Sequence, residues 1–161
     1  MVPDTVTLHR LGRLREIATA GFAIALHIRF TAPTYMFQAY PDAWLEEYGR
    51  EGLVMSDPSV AWAFAHTGTV SWAALVHADE AQVFARAARH GLVHGLTTSL
   101  LRGGSRSMAG FARSDRDFTQ EEITEVEAAV TLLHDTTLAG QALGPEMQDE
   151  LRRLSVTSTH P

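Results

Sequence analysis

The chain is 161 residues long, 45% apolar and free of cysteine, so it can bury one globular core, while disulfides, thiolate catalysis and cysteine-based metal centres are excluded. Thirteen basic residues, all arginine, stand against nineteen acidic ones for a formal charge of −6, and a negative surface repels a polyanion, so direct nucleic-acid binding is not expected. No signal-peptide pattern and no run of about 18 apolar residues occurs, which excludes a membrane helix and makes a cytoplasmic protein the expectation.

Leu8, Leu11, Leu14, Ile17 and Ala18 recur at three- and four-residue spacing ahead of Gly21, which predicts an amphipathic helix over residues 7–20 with Gly21 as its stop. From Phe22 the period falls to two: Phe22, Ile24, Leu26, Ile28 and Phe30 take one face of a strand, and Ala23, Ala25, His27 and Arg29 the other. A turn through Pro33 leads to a second short strand at 35–39, completing a hairpin. Pro41 fits the first position of a helix running to about Arg50. Asp57-Pro58 repeats that logic, with an N-cap acceptor and a proline at N1, and opens a short helix carrying Val60 and Phe64 on one side. The stretch 68–76 fits neither period. A helix over 79–90 stops at Gly91, and strands at 95–102 and 107–113 are joined by the Gly103-Gly104 turn. Thr119 and Glu122 form a capping box, with Phe118 and Ile123 as its hydrophobic staple, for a last helix whose buried stripe is Ile123, Val126, Val130 and Leu133. After Gly140 the chain turns polar. The expected fold is α+β: an α-β-α sandwich with a central, mainly antiparallel sheet and helices on both faces over residues 1–140, followed by a polar tail at 141–161.

One constellation carries chemical information. Tyr40, Trp44 and Tyr48 are four apart and lie along one ridge of the helix that starts at Pro41, with Tyr40 at its very entrance. Tyr and Trp each combine a large apolar surface with one polar tip that needs a partner when buried. Such a face suits a ligand with an oily body and a few carbonyls, and Asp57 adds a carboxylate able to accept an amide N–H. Each residue also has a purely structural reading: an aromatic stripe as core, Asp57 as a helix cap, Trp72 as packing, Gly95 as a point of close approach.

The pattern Tyr-x3-Trp-x3-Tyr-x8-Asp-Pro-x13-Trp, realised as Tyr40, Trp44, Tyr48, Asp57, Pro58 and Trp72, resembles the N-terminal autoinducer-binding domain of LuxR-type quorum-sensing regulators, and Gly95 falls where that family has a characteristic glycine. The similarity runs over residues 15–140. It implies an N-acyl-homoserine lactone held between sheet and helices, with Trp44 donating to the lactone carbonyl, Tyr40 to the acyl carbonyl, and Asp57 accepting the amide N–H. Tyr48 and Trp72 would wall the lactone, and Val60, Phe84 and Met36 would contribute to an apolar pocket. The family often carries Ser or Thr on the last strand, where Gly110 stands here, which implies extra room and one hydroxyl fewer. The resemblance further implies a dimer: a homodimer, or a heterodimer with a full-length regulator, since the 21 residues after Gly140 are too few for a helix-turn-helix domain. No enzyme motif is present. His90 and His94 straddle Gly91 rather than sharing a helix face, so no metal site and no cofactor are expected. The competing readings are a PAS- or GAF-like sensor of another small molecule and a dimerisation antagonist of a full-length regulator.

Overall fold

The computed structural model describes residues 12–30 and 32–138. Residues 12–17 are helical (α1), followed by β1 (Gly21–Arg29), β2 (Ala32–Gln38), α2 (Asp42–Arg50), α3 (Pro58–Ala65), β3 (Gly68–Ser71), α4 (Val83–Ala88), β4 (His94–Arg102), β5 (Ser105–Arg113) and α5 (Gln120–Thr137), with 3-10 turns at Leu53–Met55 and Trp72–Ala78. The five strands form one sheet in the order β2-β1-β5-β4-β3, with every pairing antiparallel.

Two apolar layers sandwich the sheet, as its alternation demands. On one face Leu14 and Ile17 of α1 and Val126, Ala129, Val130 and Leu133 of α5 pack on Phe22, Ile24, Leu26 and Phe111. On the other, Trp44 of α2, Leu53, Trp72, and Val83 and Ala87 of α4 form a second cluster with Tyr40 and Ala112. The predicted α-β-α sandwich is thus the observed one, and the capping box stands at the start of α5, where the Thr119 hydroxyl accepts from Glu122 N and Glu122 accepts from Thr119 N. Burying each Leu, Ile or Phe of these clusters contributes about 1.5–3 kcal/mol against chain entropy.

The structure corrects the sequence reading at several points. The regular alternation of β1 breaks after Ala25, where its register with β5 shifts and His27 takes a left-handed φ of 54°. Such a bulge inserts one residue and reverses the faces beyond it. His27 therefore lies buried on the α5 face, Ile28 turns to the opposite layer, and Phe30 is fully exposed instead of lying in the core. Gly21 is the first residue of β1 and does not cap a helix: its φ is 117°, and a Cβ there would come within 2.5 Å of the Ala39 carbonyl oxygen. Of the expected helix over 7–20, residues 12–17 are helical, and Leu8 and Leu11 fall outside the described residues, as does the 141–161 tail. The expected 79–90 helix is shorter because Asp79 accepts from the N–H groups of Val83 and Phe84 across a left-handed Gln82. The ambiguous stretch at 68–76 divides into the edge strand β3 and a 3-10 turn that swings Trp72 under the sheet.

Candidate ligand-binding site

Between the sheet and the α2–α4 layer lies a cavity of about 220 Å³ with a mostly apolar wall. Its floor is the sheet, where Ala23 and Ala25 of β1 present little side chain and so leave the space open, and Gly110 of β5 also lines it. Its roof is helical: Trp44, Leu45 and Tyr48 come from α2, Val60 and Phe64 from α3, and Phe84 from α4. Met36, Tyr40, Asp57 and Trp72 also line it. Of the residues singled out in the sequence, Tyr40, Trp44, Tyr48, Asp57, Val60, Trp72 and Phe84 converge on this one space. Gly95 does not reach the wall. A Cβ on it would fall 2.0 Å from the Trp72 indole, so its bareness is what allows Trp72 to lie flat beneath β4.

The polar groups sit together at the end formed by α2 and the start of α3. Asp57 has the extended backbone of an N-cap and Pro58 follows at N1, which fixes its carboxylate at the mouth of α3. Oδ1 accepts from Ser59 N at 2.9 Å and from the Ser59 hydroxyl at 2.7 Å, and Oδ2 accepts from the Tyr48 hydroxyl at 2.7 Å. The helix-cap reading of Asp57 is therefore realised on Oδ1, while Oδ2 is held by Tyr48. No ion pair neutralises it among the described residues, although it is only 9% exposed.

Burial first, and the neighbouring Asp57 second, push the Tyr40 and Tyr48 hydroxyls well above the ordinary phenol range. Both thus stay protonated and act as donors. Tyr48 spends its hydrogen on Asp57, and Trp72 spends its indole N–H on Thr97 Oγ1 at 3.0 Å. Among the described residues the Trp44 indole N–H and the Tyr40 hydroxyl donate to no protein acceptor. The cavity thus offers two unspent donors and a carboxylate oxygen at one end of an apolar space.

Ring contacts hold these groups in place. Trp44 meets Tyr48 edge-on with centroids 5.4 Å apart, and His90 lies 5.5 Å behind it, itself held by Glu47 at 2.9 Å. Trp72 stacks on Phe84 at 5.3 Å and 16°, contacts of the kind worth about 0.5–1.5 kcal/mol beyond area alone. His94 pairs with Asp117 instead, so His90 and His94 serve different partners.

Several wall residues were not identified from the sequence: Ala23, Ala25, Thr97 and Met108. The alternating alanines of β1 were the available signal, since two methyl-sized residues on one strand face leave space unless a larger neighbour fills it. Gly110 needs a correction. The room expected above it is already occupied, because the Tyr40 hydroxyl lies 2.7 Å from where a Cβ would stand.

A family model described as the autoinducer binding domain matches residues 18–137. Among solved structures, the chain resembles the N-acylhomoserine lactone dependent LuxR family transcription factor CepR2 from Burkholderia cenocepacia, with TM-score 0.56 and 18% identity over 80% of this chain and 89% of that one. It also resembles Escherichia coli SdiA, with TM-score 0.58 and 18% identity over 98% of this chain and 66% of that one. SdiA in complex with octanoyl-rac-glycerol matches with TM-score 0.55 and 18% identity, over 83% of this chain and 61% of that one. The chain thus spans about two thirds of the SdiA chains, and at these identities the likeness is one of fold. No curated protein sequence matches.

Proposed function

The chain belongs to the autoinducer-binding domain family, and on that premise we propose that it is the receptor for an N-acyl-homoserine lactone, acting as part of a LuxR-type transcription regulator or upon one. The observation that carries this reading is the match between cavity and ligand. Such a lactone has one amide N–H, two carbonyls and an aliphatic chain, and the cavity offers one acceptor, two unspent donors and an apolar wall. In the proposed pose Trp44 donates to the lactone carbonyl, Tyr40 donates to the acyl carbonyl, and Asp57 Oδ2 accepts the amide hydrogen. Tyr48 and Trp72, whose polar tips are already paired, wall the head group, and Val60, Phe84 and Met36 cover the chain.

The mostly apolar wall with a few convergent polar groups supports a binding role. Regulation would then pass through a homodimer, or a heterodimer with a full-length regulator, in the cytoplasm. No helix among the described residues is long and apolar enough to cross a membrane. One observation favours a second ligand class: Asp57 Oδ2 accepts from a hydroxyl as readily as from an amide, so an acylglycerol, the kind of molecule present in one SdiA complex, satisfies the same acceptor.

Thermal denaturation with a panel of lactones of increasing chain length, and with 1-octanoyl-glycerol, tests both. A ligand that binds only the folded chain raises Tm with the logarithm of its concentration once that exceeds Kd, by mass action. The expected result is a concentration-dependent rise peaking at one chain length and lost in Asp57→Asn and Trp44→Phe. A response to the acylglycerol alone would favour the second ligand class, and a lactone response unchanged in both variants would overturn the site assignment.

A further inference from the structure

Gly110 pairs with Ala23 across one side of β5 and with Thr97 across the other, on the central strand of the sheet, and it lines the cavity floor. Its φ is not in the left-handed region, and its backbone would accept any L-residue. What stands in the way is a side chain: a Cβ at 110 would lie 2.7 Å from the Tyr40 hydroxyl oxygen, while the next atoms, Trp72 Cζ2 and the Leu96 carbonyl oxygen, are 3.9 Å away. Carbon and oxygen do not approach so closely without a bond, so one of them must move. Tyr40 is 8% exposed and lines the cavity, with β5 on one side of its hydroxyl and the open space on the other. The cavity beside it offers room for the displaced hydroxyl.

We propose that Gly110 sets ligand selectivity without a side chain of its own, by letting the Tyr40 hydroxyl rest against β5, so that the position of that donor and the usable length of the cavity are both fixed by the missing Cβ. This rests on the functional reading above, in which Tyr40 meets the acyl carbonyl. Any side chain at 110 drives the phenol into the cavity, moves the donor and takes up the volume of about one methylene, a change that in an apolar pocket alters discrimination about 10–200-fold.

The test is a cycle of Gly110→Ala, Tyr40→Phe and the double variant, with the wild type, each measured for folding without ligand and for affinity across a series of straight-chain acyl-homoserine lactones. Gly110→Ala is expected to weaken the longest well-bound lactone about tenfold or more and to move the optimum to a shorter chain. In the Tyr40→Phe background, where the clashing oxygen is gone, the same alanine is expected to leave both stability and optimum chain length close to those of Tyr40→Phe alone. If Gly110→Ala fails to fold while the double variant folds, the contact is supported. A lesion equally severe in both backgrounds, or an unchanged chain-length profile in Gly110→Ala, overturns the inference while leaving the receptor reading intact. A wild-type protein that responds to no lactone overturns the receptor reading and this selectivity role with it, and the ligand-free cycle then reports the contact alone.

Discussion

Acidification should unfasten the end of α5 through a single buried histidine. His27 is 7% exposed. Its Nε2 lies 2.7 Å from Thr137 Oγ1 and 3.1 Å from the His134 carbonyl oxygen, and its Nδ1 lies 2.7 Å from Ser105 Oγ. The Thr137 hydroxyl donates to the Leu133 carbonyl, so its oxygen accepts; the hydrogen of His27 therefore sits on Nε2, and Nδ1 accepts from Ser105. In that neutral form both ring nitrogens are satisfied. Burial first, and the His134 ring 4.5 Å away second, lower the His27 pKa, against a smaller opposing pull from the His134 carbonyl. A depressed histidine pKa means that the unfolded chain binds the extra proton more readily than the folded one. Stability is then fully present above the unfolded value of about 6.5 and is lost as pH falls from there through the folded value. One proton of difference is worth up to about 1.4 kcal/mol per pH unit. For a chain of this size, that corresponds to about 3–6 °C in Tm per pH unit. Asp115 and Glu122 are held near pKa 2 by Arg113 and Arg116, and their losses fall at lower pH. The assay is Tm between pH 7.5 and 5.5 for the wild type and His27→Asn, since asparagine tolerates the left-handed backbone at this position. The variant is expected to melt lower at pH 7.5 but with a flatter pH slope. Equal slopes would refute the reasoning.

Three further outcomes follow from local geometry. Gly95→Ala must displace the Trp72 indole, giving up its bond to Thr97 and its stacking on Phe84; a loss of about 2–4 kcal/mol in urea denaturation is expected, and it should shrink sharply in a Trp72→Leu background. Gly49→Ala, inside α2 with nothing within 4 Å of the new Cβ, should instead stabilise by up to about 1 kcal/mol, so opposite signs at the two glycines in the same melt test the steric argument. Asp57→Ala removes the α3 cap and strands the Tyr48 hydroxyl, and should cost about 1–3 kcal/mol by urea denaturation, whereas Asp57→Asn keeps a cap acceptor and should cost less.

The layer architecture was legible because period and punctuation agree: a glycine pair turns β4 into β5, a capping box opens α5, and an Asp-Pro opens α3. The pairing of Trp44 and Tyr48 was legible for the same reason, since a spacing of four leaves them one side of α2 to occupy, while Tyr40 stands just before that helix. The interior of β1 was not, because a bulge is set by pairing with β5 and leaves no mark in hydrophobicity. Counting by twos from Phe22 therefore assigns Ile28 and His27 to the wrong layers. Nor could the use of each polar tip be read from residue type. Trp44 and Trp72 are the same side chain, yet one has its N–H committed to Thr97 and the other does not. That distinction depends on which strand residue happens to lie opposite, and so does the filling of the space above Gly110.

The bulge at His27 also determines how this domain tolerates changes of length. Up to Ala25 one strand supplies Phe22 and Ile24 to one layer and Ala23 and Ala25 to the other, and beyond the extra residue the assignment inverts. Removing a single residue at 26 or 27 would restore perfect alternation and make β1 look more regular. Ile28 would keep its side of the sheet, but one of two neighbours that now serve the α5 layer would be gone: Leu26 from the core, or His27, which joins Ser105, Thr137 and the end of α5. The extra residue thus lets two successive side chains serve one layer, and a homologous chain without it aligns face to face with this one only if a gap is placed at 26 or 27.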